Sequence, residues 1–192
     1  TRMGLPVPPG FTISTDACRH YLEHGESPQV LGDQVRAALE RLQNLTGRKL
    51  GSPTEPLLVS VRSGAKFSMP GMMETVLDIG LNDDTVTAVA QQVGDEHFAW
   101  DSYRRLIQMF GRTVLGIDAE LFEEVLAAAV VSSGVGADVD LPVPVLQDLV
   151  AQYRAIVTEQ TGSDFPQDPQ RQLLMAIVAV FAPVAFMGGI IG

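Results

Sequence analysis

The apolar positions of this chain fall mostly at helical spacing, interrupted by short β-branched runs. Leu31, Val35, Ala38, Leu42 and Leu45 recur every three or four residues, which predicts one buried helical face closed by Gly47. Ala99, Tyr103, Leu106 and Phe110 step by four, three and four residues, predicting a helix from Asp95 to Phe110 that ends at Gly111. Asp118 can cap a helix carrying Leu121, Phe122, Val125 and Leu126. Leu146, Leu149, Tyr153, Ile156 and Val157 predict another over Val145 to Thr158. Thr15 is placed to cap a short helix toward Tyr21 and Leu22, broken at Gly25, and Pro28 suits the first turn of the next. Asn82 or Asp83 can cap a helix reaching Val93, with Val86, Val89 and Ala90 on one side.

Strand signals are few. Leu5 to Ile13 reads as a Pro-rich turn entering a short strand at Phe11 to Ile13. Leu57 to Val61 is short and β-branched, which predicts a buried strand. The segment from Pro70 or Gly71 to Gly80 reads as a helix, and Ser132 to Asp140 as a polar break. So little strand among so many helices predicts an α+β unit with a helical subdomain, not a complete doubly wound sheet.

Charge narrows the function classes. The 192 residues allow one substantial domain or two small ones, and 13 basic against 23 acidic side chains give a formal net charge of -10. That balance argues against nucleic acid as a partner but leaves a nucleotide open, which needs only a local positive site. Cys18 is the single cysteine, so no internal disulfide can form, which fits a reducing, cytoplasmic setting. Pro6, Pro8 and Pro9 interrupt any signal-like apolar core. From Leu173 to Ile191 the chain carries no charge, a length at the lower limit for a membrane span. Pro183, Gly188 and Gly189 weaken it as a continuous helix, so a core helix is the preferred reading and membrane contact the alternative.

One stretch gathers the chemistry of an anion site. Arg62 directly follows a strand, so the sheet can aim its guanidinium, whose planar fork holds two phosphate oxygens at once. Lys66 adds a compact second charge, Gly64 and Gly71 permit close backbone approach, and Ser63 and Ser68 offer hydroxyls. A helix opened by Pro70 would turn the N–H groups of Gly71, Met72 and Met73 toward the anion, with Thr75 one turn too deep to touch it. An ordinary reading competes: Arg62 pairs with a carboxylate, Lys66 is a solvated charge, and Met69, Met72 and Met73 fill a core. The stretch is neither a P-loop nor a Rossmann fingerprint.

The remaining polar residues point elsewhere. Arg104 and Arg105 suit solvent or an acidic partner, and Asp101 stands four residues before Arg105, as a local helical pair requires. Trp100 and Cys18 suit packing. His20, His24 and His97 form no metal-ligand pattern with any Cys or carboxylate, and no nucleophilic triad is visible.

Four blocks together carry a family resemblance: GLPVPPGFTIST at Gly4–Thr15, LLVSVRSGAKFSMPGMMETVLDIGLND at Leu57–Asp83, FAWDSYRRLIQMFG at Phe98–Gly111 and TGSDFPQDPQRQL at Thr161–Leu173. In that order they resemble the amino-terminal nucleotide-binding domain of pyruvate, phosphate dikinases, over roughly Gly4 to Val180. The resemblance implies an incomplete ATP-grasp-like fold, with 1–81 a partial nucleotide-binding portion, 82–180 a helical subdomain and 181–192 a divergent apolar tail. It implies ATP, Mg²⁺ and inorganic phosphate as ligands, with Arg62 on ATP phosphates, Gly71, Met72 and Met73 in a phosphate-covering loop, and Lys66 and Ser68 nearby. Their roles would be positioning and electrostatic stabilisation.

The family reaction takes ATP, phosphate and pyruvate to AMP, pyrophosphate and phosphoenolpyruvate through a phosphohistidine on a swivelling domain. The family's phosphate-contacting lysine would precede Thr1, and its acidic Mg²⁺ ligands, phosphohistidine domain and pyruvate-binding barrel would follow Gly192. Near Ala182 a Ser-Trp-Asn and Arg segment expected of the family is replaced by APVAFMGGIIG. The expectation is therefore part of an ATP site, with no catalytic residue and no metal ligand assigned, unable to complete the reaction alone. The full-length family implies a homo-oligomer. The alternatives are a non-catalytic helical interaction fragment and a membrane-associated truncated protein.

Overall fold

A computed structural model describes residues 7–63 and 75–181, apart from the side chain of Leu22. Helices α1 (Thr15–His24) and α2 (Leu31–Thr46) lead into β1 (Lys49–Leu50), β2 (Pro56–Leu57), β3 (Val59–Arg62) and β4 (Thr75–Ile79). Helices α3 (Thr85–Val93), α4 (Glu96–Thr113), α5 (Ala119–Ser133), α6 (Val143–Thr161) and α7 (Pro169–Ala179) follow, with a 3₁₀ turn at Asp138–Asp140. The fold is α+β and predominantly helical. β1 and β2 pair in parallel, and β3 and β4 antiparallel, as separate two-stranded sheets. Such small sheets need a packed face to persist. For β3–β4 that face is supplied by α4 and α7, with Val76 and Ile79 fully buried.

Local capping matches the sequence closely. The carboxylates of Asp95 and Asp118 accept from the backbone N–H groups of Phe98 and Glu120, at 2.9 and 3.1 Å. Asn82 Oδ1 accepts from the N–H groups of Asp84 and Thr85 at 3.0 and 2.8 Å, so it starts α3 although the helix proper begins at Thr85.

Several expectations are corrected. The segment ending at Gly80 is not helical where it is described: Thr75–Ile79 is strand β4, because its β-branched Thr75, Val76 and Ile79 pair with β3 and the last two bury there. Leu57–Val61 is two strands and not one, since Leu57 pairs with Leu50 while Val59–Arg62 pairs with β4; Val59 and Val61 are only half-buried. Phe11–Ile13 has no strand. Ser14, one residue before Thr15, is the first cap position. Leu45 is 76% exposed, and Leu39 takes its place on the buried face of α2.

Gly111 does not end its helix, because α4 continues to Thr113. It is instead a contact point: a Cβ there would lie 2.6 Å from the Phe122 Cζ. Phe122 is fully buried, stacked edge-on against Tyr153 with ring centroids 4.9 Å apart, so it has little room to yield. Gly111→Ala is expected to destabilise the chain by about 1–3 kcal/mol through overpacking, measured as a lowered urea midpoint with unchanged slope.

Candidate functional site

Arg62 ends β3 and lies directly across the ladder from Thr75, the first residue of β4. The pairing fixes its backbone, and the alternation along β3 leaves Ser60 and Arg62 exposed while Val59 and Val61 face inward. Among the described residues Arg62 makes no salt bridge. Ser63, which follows, is buried. Lys66, Ser68, Gly71, Met72 and Met73 lie outside the described residues, as do Gly64, Met69 and Pro70. Thr75 is a strand residue opposite Arg62, which overturns its reading as a position one helical turn too deep.

β4 reaches this position through an irregularity. Its register slips between Val59 and Val61, and Asp78 adopts φ 57°, the left-handed region that few non-glycine residues enter. Burial pushes the Asp78 carboxyl above its ordinary range, and the nearby Arg105 guanidinium opposes that only in part. A folded value above the unfolded one means the folded chain binds more proton between the two, so the ionised carboxylate costs stability above that window and the cost fades as pH falls through it. Asp78→Asn, which also tolerates the left-handed conformation, should raise the urea midpoint at neutral pH and lose that advantage under acid. Equal gains at both pH values would contradict this assignment.

Behind the hairpin, α4 carries a chain of charges. Arg105 Nε meets Asp101 at 2.8 Å, the predicted local pair. Of the two expectations for Arg104, the acidic partner holds and solvent does not: it is 2% exposed and donates from Nε and an Nη to the same Asp101 oxygen at 3.0 and 2.6 Å. A second acceptor is Gln108 at 3.3 Å, and Asp138 of the 3₁₀ turn stands at 3.5 Å. Burial works to lower the guanidinium's value, and the hydrogen bond and charge of Asp101, then Tyr153, more than reverse it, so Arg104 stays charged.

Polar residues of the Thr161–Leu173 block hold the exit of β4. Gln172 is fully buried; its Oε1 accepts from Gly80 N–H at 3.0 Å, and its Nε2 donates to the carbonyls of Leu81 and Pro166 at 3.0 and 2.8 Å. Gln167 Oε1 accepts from Asp83 N–H at 3.0 Å and its Nε2 donates to the Tyr103 hydroxyl at 3.1 Å. Tyr103 in turn donates to Asp83 at 2.9 Å, which Arg154 meets at 2.6 Å. Burial pushes the Tyr103 phenol up, keeping it a neutral donor. Sequence reading missed this clamp; its one signal is a polar Gln172 at a core position, four residues before the buried Ala176.

Three of the four resemblance blocks thus meet around β4. Cys18 is buried beside the Phe181 carbonyl, consistent with packing. Among the described residues no group of three or more His, Cys, Asp and Glu side chains could hold a metal ion. Nor is any helix there long and apolar enough to cross a membrane; residues 182–192 of the apolar run lie outside them.

No family model matches the chain. A pyruvate, phosphate dikinase of Rhizobium meliloti (strain 1021) is 51% identical over 181 residues, covering 94% of this chain and 20% of that protein. Pyruvate, phosphate dikinase 2 of Oryza sativa subsp. japonica is 48% identical over 179 residues, 93% of this chain and 20% of its own length. A chloroplastic pyruvate, phosphate dikinase of Mesembryanthemum crystallinum is 49% identical over 180 residues, covering 93% of this chain and 19% of that relative. The chain spans about a fifth of the length of the curated relatives it matches. Nearly all of the chain is therefore similar to an amino-terminal stretch of pyruvate, phosphate dikinases.

Proposed function

We propose that this chain supplies part of the ATP phosphate site of a pyruvate, phosphate dikinase-type phosphotransferase. The observation that carries the reading is Arg62, exposed at the end of a paired strand, within a block that matches dikinases. An exposed guanidinium whose backbone is fixed on a sheet fits a phosphate group, because its planar fork can donate to two phosphate oxygens at once. Arg62 would bind phosphate oxygens in a bidentate fork; Lys66, Ser68, Gly71, Met72 and Met73 would cover them. Bound ATP supplies the phosphoryl group for transfer to a histidine of another domain. This chain's own residues bind and orient the phosphates and stabilise their charge. No residue of this chain is assigned to Mg²⁺. Residues 1–81 as the nucleotide-binding portion and 82–180 as its helical support, in a cytoplasmic protein, belong to the same proposal. That division is functional, since one hydrophobic cluster runs through both.

Titration with Mg-ATP, followed by calorimetry, tests the reading. The folded chain should bind, and Arg62→Ala should weaken binding by about 1.5–3 kcal/mol, roughly tenfold or more, without lowering thermal stability. Absence of binding by a chain shown to be folded, or equal binding by the variant, counts against it. A coupled assay for phosphoenolpyruvate should stay at background with the 192-residue chain alone.

A further inference from the structure

From Val125 to Val131 α5 is apolar on every side, yet of its 15 residues only Phe122 is buried. A helix apolar all round is normally covered all round, whereas α5 packs on α4 and α6 and leaves its outer side bare. Ala127 and Ala128 are exposed, and Val131 is 81% exposed. Between α5 and α6 runs a groove of about 400 Å³, with Val125, Ala128 and Ala129 of one helix and Val145 of the other along its floor. The three α5 residues stand at i, i+3 and i+4, so the groove follows the helix axis and offers an apolar seat to another helix.

Its polar groups are few, and its free charge is of one sign. Ser132 Oγ donates back to the Ala129 carbonyl at 3.1 Å, and Gln152 Nε2 donates to Asp148 at 2.7 Å. Asp148 lines the groove, and Glu124 stands one turn before Ala128; neither forms a salt bridge among the described residues. Between Arg112 and Arg154 there is no lysine, arginine or histidine, whereas α5, the 3₁₀ turn and α6 carry Glu120, Glu123, Glu124, Asp138, Asp140 and Asp148. A second copy would set carboxylates against carboxylates, in a chain of net charge -10. The stretches of this chain outside the described residues supply only Arg2 and Lys66 as cations. Charge complementarity therefore asks for a cationic partner from elsewhere.

We propose that the α5–α6 groove docks a basic amphipathic helix of another polypeptide. Its apolar stripe would lie on Val125, Ala128, Ala129 and Val145, and its lysines or arginines on Asp148 and Glu124. The proposal is independent of the Arg62 reading, since it invokes no nucleotide and no residue of the β3–β4 hairpin.

The test titrates the intact, ¹⁵N-labelled chain with a synthetic peptide of about 18 residues, leucine at every third or fourth position and lysine between, and with a scramble of the same composition. The amphipathic peptide should shift the signals of Val125, Ala129 and Val145 and bind about tenfold tighter than its scramble. Asp148→Asn should weaken it about twofold to fourfold, a difference that shrinks as salt is added. Ala128→Glu separates docking from general attraction, because it obstructs the exposed floor while making the face more acidic, and glutamate suits a helix. Docking predicts that this variant binds the peptide about tenfold more weakly. Tightening by A128E, equal binding of the scramble, or no binding by the folded chain overturns the proposal. So does a dimer of the peptide-free chain in sedimentation that A128E dissociates, which gives the groove to a second copy. Overhauser contacts from Val145 to Phe186 in the free chain overturn it as well, since the groove would then be filled from within.

Discussion

Gln172→Leu should lower the unfolding free energy by on the order of 4 kcal/mol, because it strands three buried backbone groups that cost roughly 1–3 kcal/mol each. The groups are Gly80 N–H, Leu81 C=O and Pro166 C=O, each held within 3.0 Å by a side chain that is fully buried. Leucine occupies similar space, so the loss measures hydrogen bonding and not a cavity. Gly80 makes the site less forgiving still: it holds φ 114°, and its α-carbon sits so close to the Leu57 carbonyl that a Cβ would lie 2.8 Å away. The turn cannot shift to find other partners. Chemical denaturation monitored by Trp100 fluorescence should show the lowered midpoint. A loss below about 1 kcal/mol would mean that water or a rearranged turn satisfies the three groups. Since the same turn anchors β4, Mg-ATP binding should fall in this variant even below its unfolding midpoint.

Arg104→Met should cost a further class of energy, about 3–5 kcal/mol, by leaving Asp101 partly buried with half of its partners gone. Arg105 keeps its own 2.8 Å contact with Asp101, but it is half exposed and cannot replace the donors beneath. The double variant Arg104→Met, Asp101→Asn should recover most of the loss, because removing both charges removes the desolvation debt as well. That recovery separates an unpaired buried charge from simple loss of packing. If the double variant is no more stable than the single one, the guanidinium is held chiefly by its stem and by Gln108 and Asp138.

What could be read along the chain was what neighbours in sequence decide. Asp95 and Asp118 cap helices because the groups they satisfy lie two or three residues away, and Asp101 meets Arg105 because one helical turn joins them. Thr75–Ile79 escaped for the opposite reason. Its conformation is set by β3, on the far side of an intervening segment, and its bulge at Asp78 defeats any simple alternation. Arg104 was open to solvent or an acidic partner; Asp101 lies within one turn of it, but its burial depends on Asp138 and Tyr153, which only the fold brings near. Gln172 and Gln167 hold the backbone of Gly80, Leu81 and Asp83, between 84 and 92 residues away, so only the fold reveals what they hold. The anion-site reading depended on a strand that would aim Arg62, and that strand exists, though shorter and more exposed than its sequence suggested. The dikinase resemblance was legible at once, because four ordered blocks do not depend on knowing how they meet.

The most direct measurement is the side-chain ¹⁵Nε resonance of Arg62 in the intact, labelled chain during titration with Mg-ATP. The account predicts a saturable shift of that resonance, following the same binding curve as backbone signals at Ser63 and Thr75. Saturable ATP binding that leaves the Arg62 Nε unmoved, or no binding by the folded chain, would contradict it.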